Sequence, residues 1–296
     1  MDRSFYTSPH NTFMGSSSSF DKARYVVIGV PFDGTSTYRP GSRFGPRAVR
    51  EASNNIEGFS LRAKRGLASY EIHDMGDVDV IHGNTKETLE RVEKVVKEVL
   101  EACKTPILIG GEHTLSYGVM KALRDNVALI HFDAHMDFKD SYMGQKLSHS
   151  TVMRRISEIA GIGAIIQLGI RSGSKEEYEF ARGKMIQYSS HDIQEKGVHN
   201  VINLVKRTLK DFDGAYLTID MDVLDPAYAP GVGNPEPGGL SFSTLLELAL
   251  GISETSKRVV GLDVVEIAPE YDNGVTAVCA AKIIFELLCT LSLRSR

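Results

Sequence analysis

The sequence predicts a three-layer α/β domain, in which a mostly parallel β-sheet lies between two layers of helices. Short, nearly continuous apolar runs recur along the chain, as is typical of strands that are buried on both faces of a parallel sheet. Helical patterns separate these runs from about residue 25 to the C-terminus, so that strand and helix alternate. No internal repeat or linker interrupts this alternation. We therefore expect a single domain over residues 25–296, preceded by a partly flexible lead-in over residues 1–24.

Six apolar, β-branched runs predict the strands: Tyr25–Val30, Pro106–Ile109, Ala128–Phe132, Ala164–Ile170, Ala215–Ile219 and Val259–Val265. The clearest helical patterns between and after them are Thr85–Cys103, Val198–Phe212, Phe242–Ser253 and Val275–Leu293. Asn84, with Glu87 three residues later, is a typical N-terminal cap for the first of these helices. The segment Ala229–Leu240 is rich in Gly and Pro and follows a strand, which predicts an irregular loop.

Composition and charge exclude several classes of protein. The 34 basic and 38 acidic residues give a net charge of −4, which disfavours a general nucleic-acid binder. No run approaches the roughly 18 apolar residues of a membrane span, and the N-terminus lacks the apolar core of a signal peptide. Cys103, Cys279 and Cys289 form no CxxC pair and fit a reducing compartment. We therefore expect a cytoplasmic protein that binds neither nucleic acid nor a membrane.

Ionisable residues gather where three of the predicted strands end. They lie at alternate positions or follow a pair of glycines: His113, Asp133, His135, Asp137, Asp220 and Asp222. Residues at alternate positions of an extended segment face the same side, and open α/β sheets bind ligands at the carboxyl ends of their strands. His131 shares this alternation but lies deeper in its strand, and we interpret it as a core histidine.

These six side chains predict a metal centre. Four carboxylates close together would repel one another and raise each other's pKa unless cations neutralised them. Two imidazoles and four carboxylates exceed the needs of one ion but suit two ions, about 3.5–4 Å apart, bridged by carboxylates. Oxygen-rich ligation with one imidazole per ion favours Mn²⁺ over Mg²⁺, Fe²⁺ or Zn²⁺. Because no cysteine lies near these motifs, a structural zinc site is disfavoured.

Several ordered motifs resemble those of the ureohydrolases, the arginase–agmatinase family. They are Pro31–Arg50 (PFDGTSTYRPGSRFGPRAVR), Gly110–Thr114 (GGEHT), Asp133–Asp137 (DAHMD), Ser148–Thr151 (SHST), Asp220–Pro226 (DMDVLDP) and Gly261–Pro269 (GLDVVEIAP). The resemblance runs from Val26 to about Leu288, and its SHST and RPGSRFGP details are closer to agmatinases than to arginases. It implies an arginase-like fold, a three-layer, doubly wound and mostly parallel sheet flanked by helices. It also implies a homo-oligomer, either a trimer or a hexamer.

The resemblance further implies a role for each site residue. The metal ligands would be His113 and Asp137 for one Mn²⁺, His135 and Asp222 for the other, and Asp133 and Asp220 as bridges between the two. His149 would match the family's catalytic histidine, and Glu266 the carboxylate that holds the substrate guanidinium.

The chemistry of a guanidinium group explains these residue types. The group stays protonated and is a poor electrophile, so that attack requires an activated water. Two divalent ions lower the pKa of a water between them. Glu266 would hold the cation near that water through charge-assisted hydrogen bonds. His149, titrating near neutrality, would pass a proton to the leaving amine.

The substrate hypothesis rests on Lys139. Arginases carry an asparagine two residues after this DAHxD motif, and a lysine cannot reproduce the mixed donor and acceptor pattern of an amide. We therefore expect a small cationic guanidino substrate, agmatine, which would be split into putrescine and urea. Glu236 and Asp140 are candidate partners for its distal amine, although both residue types are often simply solvated in loops.

Other functions remain open from the sequence. The same chemistry could act on N1-aminopropylagmatine, guanidinobutyrate or arginine. A two-metal phosphoesterase would also place Asp and His at strand ends, but Glu266 would repel a phosphate. A metal-binding relative without activity is a further alternative. Urea release from a panel of guanidino compounds discriminates among these functions.

Overall fold

The central sheet of the computed structural model contains eight parallel strands and one antiparallel edge strand within the described residues, which are 7–8, 11–66, 72–123 and 126–291. The strands are β1 Thr7–Ser8, β2 Tyr25–Val30, β3 Phe59–Ser60, β4 Arg65–Gly66, β5 Ile72–Val78, β6 Thr105–Gly110, β7 Val127–Phe132, β8 Ile162–Ile170, β9 Ile186–Ser189, β10 Gly214–Asp220 and β11 Val259–Val265. Their order in the sheet is β1-β5-β2-β6-β11-β10-β7-β8-β9. β3 and β4 form a separate antiparallel pair.

Helices cover both faces of the sheet. They are α1 Gly45–Ser53, α2 Thr85–Glu101, α3 Leu115–Ala122, α4 Val152–Ser157, α5 Lys175–Ala181, α6 Ser190–Lys196, α7 Val198–Leu209, α8 Phe242–Thr255 and α9 Val275–Leu291. One cluster of buried side chains contains residues of α1 and α6–α9, and a second cluster contains residues of α2–α5. The helices therefore form two layers, and the predicted three-layer, doubly wound architecture is confirmed. Among the described residues, no helix is both long and apolar enough to cross a bilayer.

All six predicted strands are present. β2 and β11 have the predicted bounds, and the others extend by one or two residues. The Asn84 side chain caps α2 by accepting a hydrogen bond from the backbone N–H of Glu87 at 3.1 Å. This helix ends before its predicted terminus, and Cys103 adopts a positive φ of 59°, which is incompatible with a continuing helix. The last two residues of the predicted helix Val275–Leu293 lie outside the described residues.

β5 is a strand that the apolar pattern does not predict, because its sequence IHDMGDV carries two aspartates. Both aspartates pair with Arg50 of α1, which is 1% exposed. The Arg50 guanidinium donates to Asp74 at 2.8 and 2.9 Å and to Asp77 at 2.5 Å. Asp74 also accepts the backbone N–H of Phe13 at 2.7 Å, and the Phe13 side chain is fully buried. The described part of the predicted lead-in is therefore anchored to the domain.

We predict that Arg50→Met lowers the free energy of unfolding by about 3–5 kcal/mol, because it leaves Asp74 and Asp77 without their buried counter-charge. The matched control is Arg47→Met in the same helix, where the arginine side chain is 81% exposed and pairs with Glu51. An exposed pair of this kind contributes about 1 kcal/mol or less. Urea unfolding of both variants checks the prediction, and equal losses of stability would contradict it.

Candidate metal centre and active site

The strand order brings the predicted site residues together. β6, β11, β10 and β7 are adjacent in the centre of the sheet, although the chain visits β7 long before β10 and β11. His113 follows β6, Glu266 follows β11, Asp220 ends β10 and Asp133 follows β7. This is the place where the strand order reverses, which is where doubly wound sheets bind their ligands.

The first group of predicted ligands surrounds the buried imidazole of His113. Its Nδ1 lies 3.0 Å from Asp133 Oδ2, 3.2 Å from Asp220 Oδ2 and 3.6 Å from Asp137 Oδ2. Within the described residues no group meets this nitrogen in hydrogen-bonding geometry. A buried nitrogen that faces three carboxylate oxygens without a hydrogen bond is an arrangement that fits a divalent cation.

The tautomer of His113 follows from its other ring nitrogen. The Nε2 atom lies 2.9 Å from Thr218 Oγ1, and the Thr218 hydroxyl donates to Asp263 at 2.5 Å. Because Thr218 gives its proton to a carboxylate, it accepts a hydrogen bond from His113 Nε2–H. The lone pair of His113 is therefore on Nδ1, the atom that faces the carboxylates. This support of a ligand by a hydrogen bond to its other nitrogen is usual for metal-binding histidines.

The second group is formed by His135 and Asp222. His135 Nδ1 lies 3.0 Å from Asp222 Oδ2 and 3.5 Å from Asp133 Oδ1. Asp133 therefore directs one oxygen to each group. Asp220 accepts the Asp222 backbone N–H at 2.8 Å through its other oxygen. The structure thus brings all six predicted ligand side chains into one cluster with Asp133 at its centre.

His131, which we interpreted as a core histidine, is fully buried and also contacts the cluster. Its Nε2 lies 2.8 Å from Asp133 Oδ2, and its Nδ1 accepts a hydrogen bond from Gln167 Nε2 at 2.8 Å. Since Nδ1 accepts, Nε2 carries the proton and donates it to Asp133. His131 therefore orients Asp133. The sequence pattern that could have indicated this role is its place in the same row of alternate positions as Asp133 and His135.

The electrostatics of the cluster favour positive charge. Burial, reinforced by neighbouring carboxylates, raises the pKa of Asp137 and of Asp220 well above the ordinary value. Burial lowers the pKa of His113, but the neighbouring carboxylates of Asp133 and Asp220 outweigh this effect and raise the pKa well above the usual range. Two overlapping groups have the geometry to hold an ion: one of His113, His131, Asp133 and Asp137, and one of Asp133, His135 and Asp222.

Glu266 and Asp137 lie on strained backbone beside the cluster. They adopt positive φ angles of 62° and 57°, which are uncommon for residues other than glycine and concentrate at functional sites. Glu266 accepts the His113 backbone N–H at 2.8 Å. Burial, together with the charge of Glu112, raises the pKa of Glu266 to about 8. A bound cation would therefore stabilise its ionised form.

His149 lies in a short 3₁₀ turn, His149–Thr151, and is 7% exposed. Burial, together with the charges of His135, His113 and Lys139, lowers its pKa to about 4. We expected a histidine that titrates near neutrality. A pKa of about 4 instead leaves the imidazole neutral at neutral pH, because its surroundings disfavour a further positive charge. Its Nδ1 lies 3.3 Å from Thr35 Oγ1.

Comparison with known proteins identifies the family. The model of the arginase family matches residues 23–290. The chain belongs to the arginase family. It is 40% identical to the agmatinase of Bacillus anthracis over 93% of this chain and 94% of that protein. It is 38% identical to the N(1)-aminopropylagmatine ureohydrolase of Thermococcus kodakarensis over 90% of each chain.

A solved structure shows the same fold. The agmatine ureohydrolase of Thermoplasma volcanium matches with a TM-score of 0.89 and 36% identity, over 96% of this chain and 95% of that one. The resemblance found in the motifs is therefore confirmed: the chain is an arginase-family ureohydrolase, and its relatives are hydrolases. Since this family consists of binuclear metal enzymes, the His/Asp cluster is in accord with the family's chemistry.

The site of this ureohydrolase opens into a cavity of about 200 Å³. Its lining contains five of the six candidate metal ligands, the candidate catalytic residues and further residues from loops: Thr37, His113, His135, Met136, Asp137, Lys139, Tyr142, His149, Ser150, Ser172, Gly173, Glu177, Asp220, Asp222, Asn234 and Glu266. Thr37, Ser172 and Asn234 were missed because isolated polar residues in loops show no periodicity. Lys139 Nζ lies 3.2 Å from the buried carboxylate of Glu177.

Asp140 and Glu236 are the two acidic residues considered for the distal amine. Neither belongs to the described lining of the ureohydrolase cavity. The Asp140 carboxylate accepts a hydrogen bond from Arg155 at 2.7 Å, and the Glu236 carbonyl accepts one from Arg171 at 2.6 Å. Arg171 also donates to the Asp222 carbonyl at 2.7 Å, and so ties the predicted irregular loop to a residue of the metal-ligand cluster.

Proposed function

We propose that this ureohydrolase hydrolyses agmatine to putrescine and urea and holds two Mn²⁺ ions per chain. The observation that carries the proposal is the buried Nδ1 of His113, which faces three carboxylate oxygens in a cavity that also contains Glu266. Such a site combines a place for cations with a carboxylate for a guanidinium group. The relatives named agmatinase and agmatine ureohydrolase support the same substrate class.

The donor set favours manganese. We propose that His113 and Asp137 hold one ion, that His135 and Asp222 hold the other, and that Asp133 and Asp220 bridge them. Carboxylate-rich sites with one imidazole per ion suit Mn²⁺ better than the softer metals. When bound, such ions would supply an activated water as the nucleophile near neutral pH.

The side chains of the chain bind the substrate and move the proton. Glu266 holds the guanidinium through charge-assisted hydrogen bonds and fixes the position of its carbon. His149 is neutral, and its Nδ1 faces Thr35. Its Nε2 can therefore accept a proton from the attacking water and donate it to the nitrogen of the leaving amine.

The cavity also offers acceptors for the ammonium group at the distal end of agmatine. Hydroxyl groups of Thr37, Tyr142 and Ser172 and the amide of Asn234 line it and can accept hydrogen bonds. Lys139 is held by Glu177, so that its position offers no amide to an α-amino acid. A lysine instead of an amide at this position supports agmatine over L-arginine.

Two further properties belong to this proposal. We place the protein in the cytoplasm, because its three cysteines are an odd and sparse set without a CxxC pair. We also propose a homotrimer or hexamer, as the family resemblance implies, and exposed aromatic side chains such as Tyr38 and Phe44 are available for such contacts. Cell fractionation and light scattering test the two statements.

We predict that protein reconstituted with Mn²⁺ approaches two ions per chain. Asp133→Asn should lower the metal content most, because Asp133 directs an oxygen to each group. The matched control is Asp140→Asn, since Asp140 pairs with Arg155 outside the cavity. Metal analysis checks both variants. Retention of two ions and full activity by Asp133→Asn would show that the bridging assignment is wrong.

We predict a strong preference for agmatine over L-arginine in kcat/KM. A site without matched hydrogen bonds for the α-carboxylate can discriminate by up to about 10⁴–10⁵-fold. Urea release should be measured side by side for agmatine, N1-aminopropylagmatine, guanidinobutyrate and L-arginine. Comparable rates for agmatine and L-arginine would contradict the substrate assignment, while a higher rate with another guanidino compound would replace agmatine as substrate.

We predict different losses for the two candidate catalytic residues. Glu266→Gln should lower kcat/KM about 30-fold or more, since a buried charge pair is worth about 2–5 kcal/mol. His149→Asn should lower kcat about 10²–10⁴-fold with little change in substrate affinity, because it removes a proton-transfer group. Both variants should retain both ions by anomalous scattering. Loss of an ion from either variant would make that residue a metal ligand.

A further inference from the structure

We propose that Thr35 and Glu112 form a positioning pair that fixes the tautomer of His149, with the proton on Nδ1 and the lone pair on Nε2. The inference deepens the proposed function, because it explains how His149 is prepared to accept a proton. Neither Thr35 nor Glu112 is a proposed metal ligand. Neither contacts Glu266, the carboxylate proposed to bind the substrate guanidinium, in the contacts described above.

Glu112 is fully buried within the GGEHT motif. Its Oε2 accepts the Thr35 backbone N–H at 2.7 Å. Its Oε1 accepts two hydroxyl groups, Thr35 Oγ1 at 2.7 Å and Thr114 Oγ1 at 2.5 Å. Both oxygens of Glu112 are therefore used to hold the segment that carries Thr35.

Thr35 contacts both Glu112 and His149 through its hydroxyl group. Its hydroxyl has one proton, and the contact with the Glu112 carboxylate, at 2.7 Å, is shorter than the contact with His149 Nδ1, at 3.3 Å. Burial raises the pKa of Glu112 to about 7, but the three hydrogen bonds that Glu112 accepts favour its ionised form, and hydrogen bonds to a carboxylate are the stronger type. The proton therefore goes to Glu112, and Thr35 Oγ1 is left as an acceptor.

The Thr35 hydroxyl oxygen determines which ring nitrogen of His149 carries the proton. The backbone N–H of His149 donates to Thr35 Oγ1 at 3.1 Å and uses one of its two lone pairs. The second lone pair faces Nδ1, so that this contact is favourable only when Nδ1 carries a proton. The Tyr142 ring packs edge-to-face on the imidazole, with centroids 6.1 Å apart, and helps to hold its plane.

The arrangement has a chemical consequence. With the proton fixed on Nδ1, the Nε2 lone pair is free to accept a proton from the attacking water, which forms the imidazolium. The same Nε2 proton then passes to the leaving nitrogen, and the Nδ1 proton stays in place. During this step the positive charge on the ring is linked through Thr35 to the carboxylate of Glu112. A base whose other nitrogen is oriented by a second group is a recurring solution in hydrolases.

Neutron diffraction of the exchanged wild-type enzyme at neutral pH tests the tautomer directly, both with and without Mn²⁺. We expect a deuteron on His149 Nδ1 and none on Nε2. A deuteron on Nε2 with an unprotonated Nδ1 would overturn the inference. This measurement needs no substrate, so the inference can stand or fall independently of whether agmatine is hydrolysed.

Kinetics of two variants test the functional consequence. Thr35→Val removes the hydroxyl at nearly constant volume and should lower kcat about 10–100-fold, the usual cost of losing such a supporting hydrogen bond, with KM and metal content unchanged. Thr35→Ser keeps the hydroxyl and should restore kcat to near the wild-type value. Unchanged kcat in Thr35→Val, or an equal loss in both variants, would overturn the positioning role.

Discussion

The rest of the site depends on the position of the Asp133 carboxylate. One oxygen faces His113 and accepts a hydrogen bond from His131, and the other faces His135. If this side chain turned, the two ligand groups would no longer share a member. The chain therefore places several buried polar residues beneath Asp133 whose main contacts serve to hold the ligands in place.

These supporting residues form a polar row across the sheet. Gln187, Gln167, His131, Thr218 and Asp263 are consecutive register partners on β9, β8, β7, β10 and β11. Each of the last four is fully buried, and hydrogen bonds connect members of the row to one another or to the ligands above. A buried polar row is stable only when its groups are satisfied, and this requirement restricts the orientation of each side chain. The parallel register of the strands therefore determines how the side chains of His113 and Asp133 are oriented.

The sequence predicts the ligands better than their supports, for a physical reason. Alternating Asp and His after an apolar run is a local pattern, and it indicated the candidate ligands at the ends of β7 and β10 without knowledge of strand order. Thr218 and Asp263 each look like a single polar residue in an apolar strand, because their meaning depends on register between strands distant in sequence. β5 escaped prediction for a similar reason, since its aspartates are buried only because Arg50 arrives from α1.

Charge balance explains why a carboxylate stands behind His149. A proton added at Nε2 places positive charge beside His135, His113 and Lys139, and this repulsion, after burial, is what lowers the pKa of the imidazole. A base with a low pKa releases its proton readily to the leaving amine but accepts one reluctantly from water. In the arrangement that we propose, the Glu112 carboxylate acts through Thr35 and offsets part of that reluctance from outside the group of candidate metal ligands. In the proposed mechanism the carboxylates of the site therefore have three roles: one set binds the cations, Glu266 binds the substrate, and Glu112 supports the group that moves the proton.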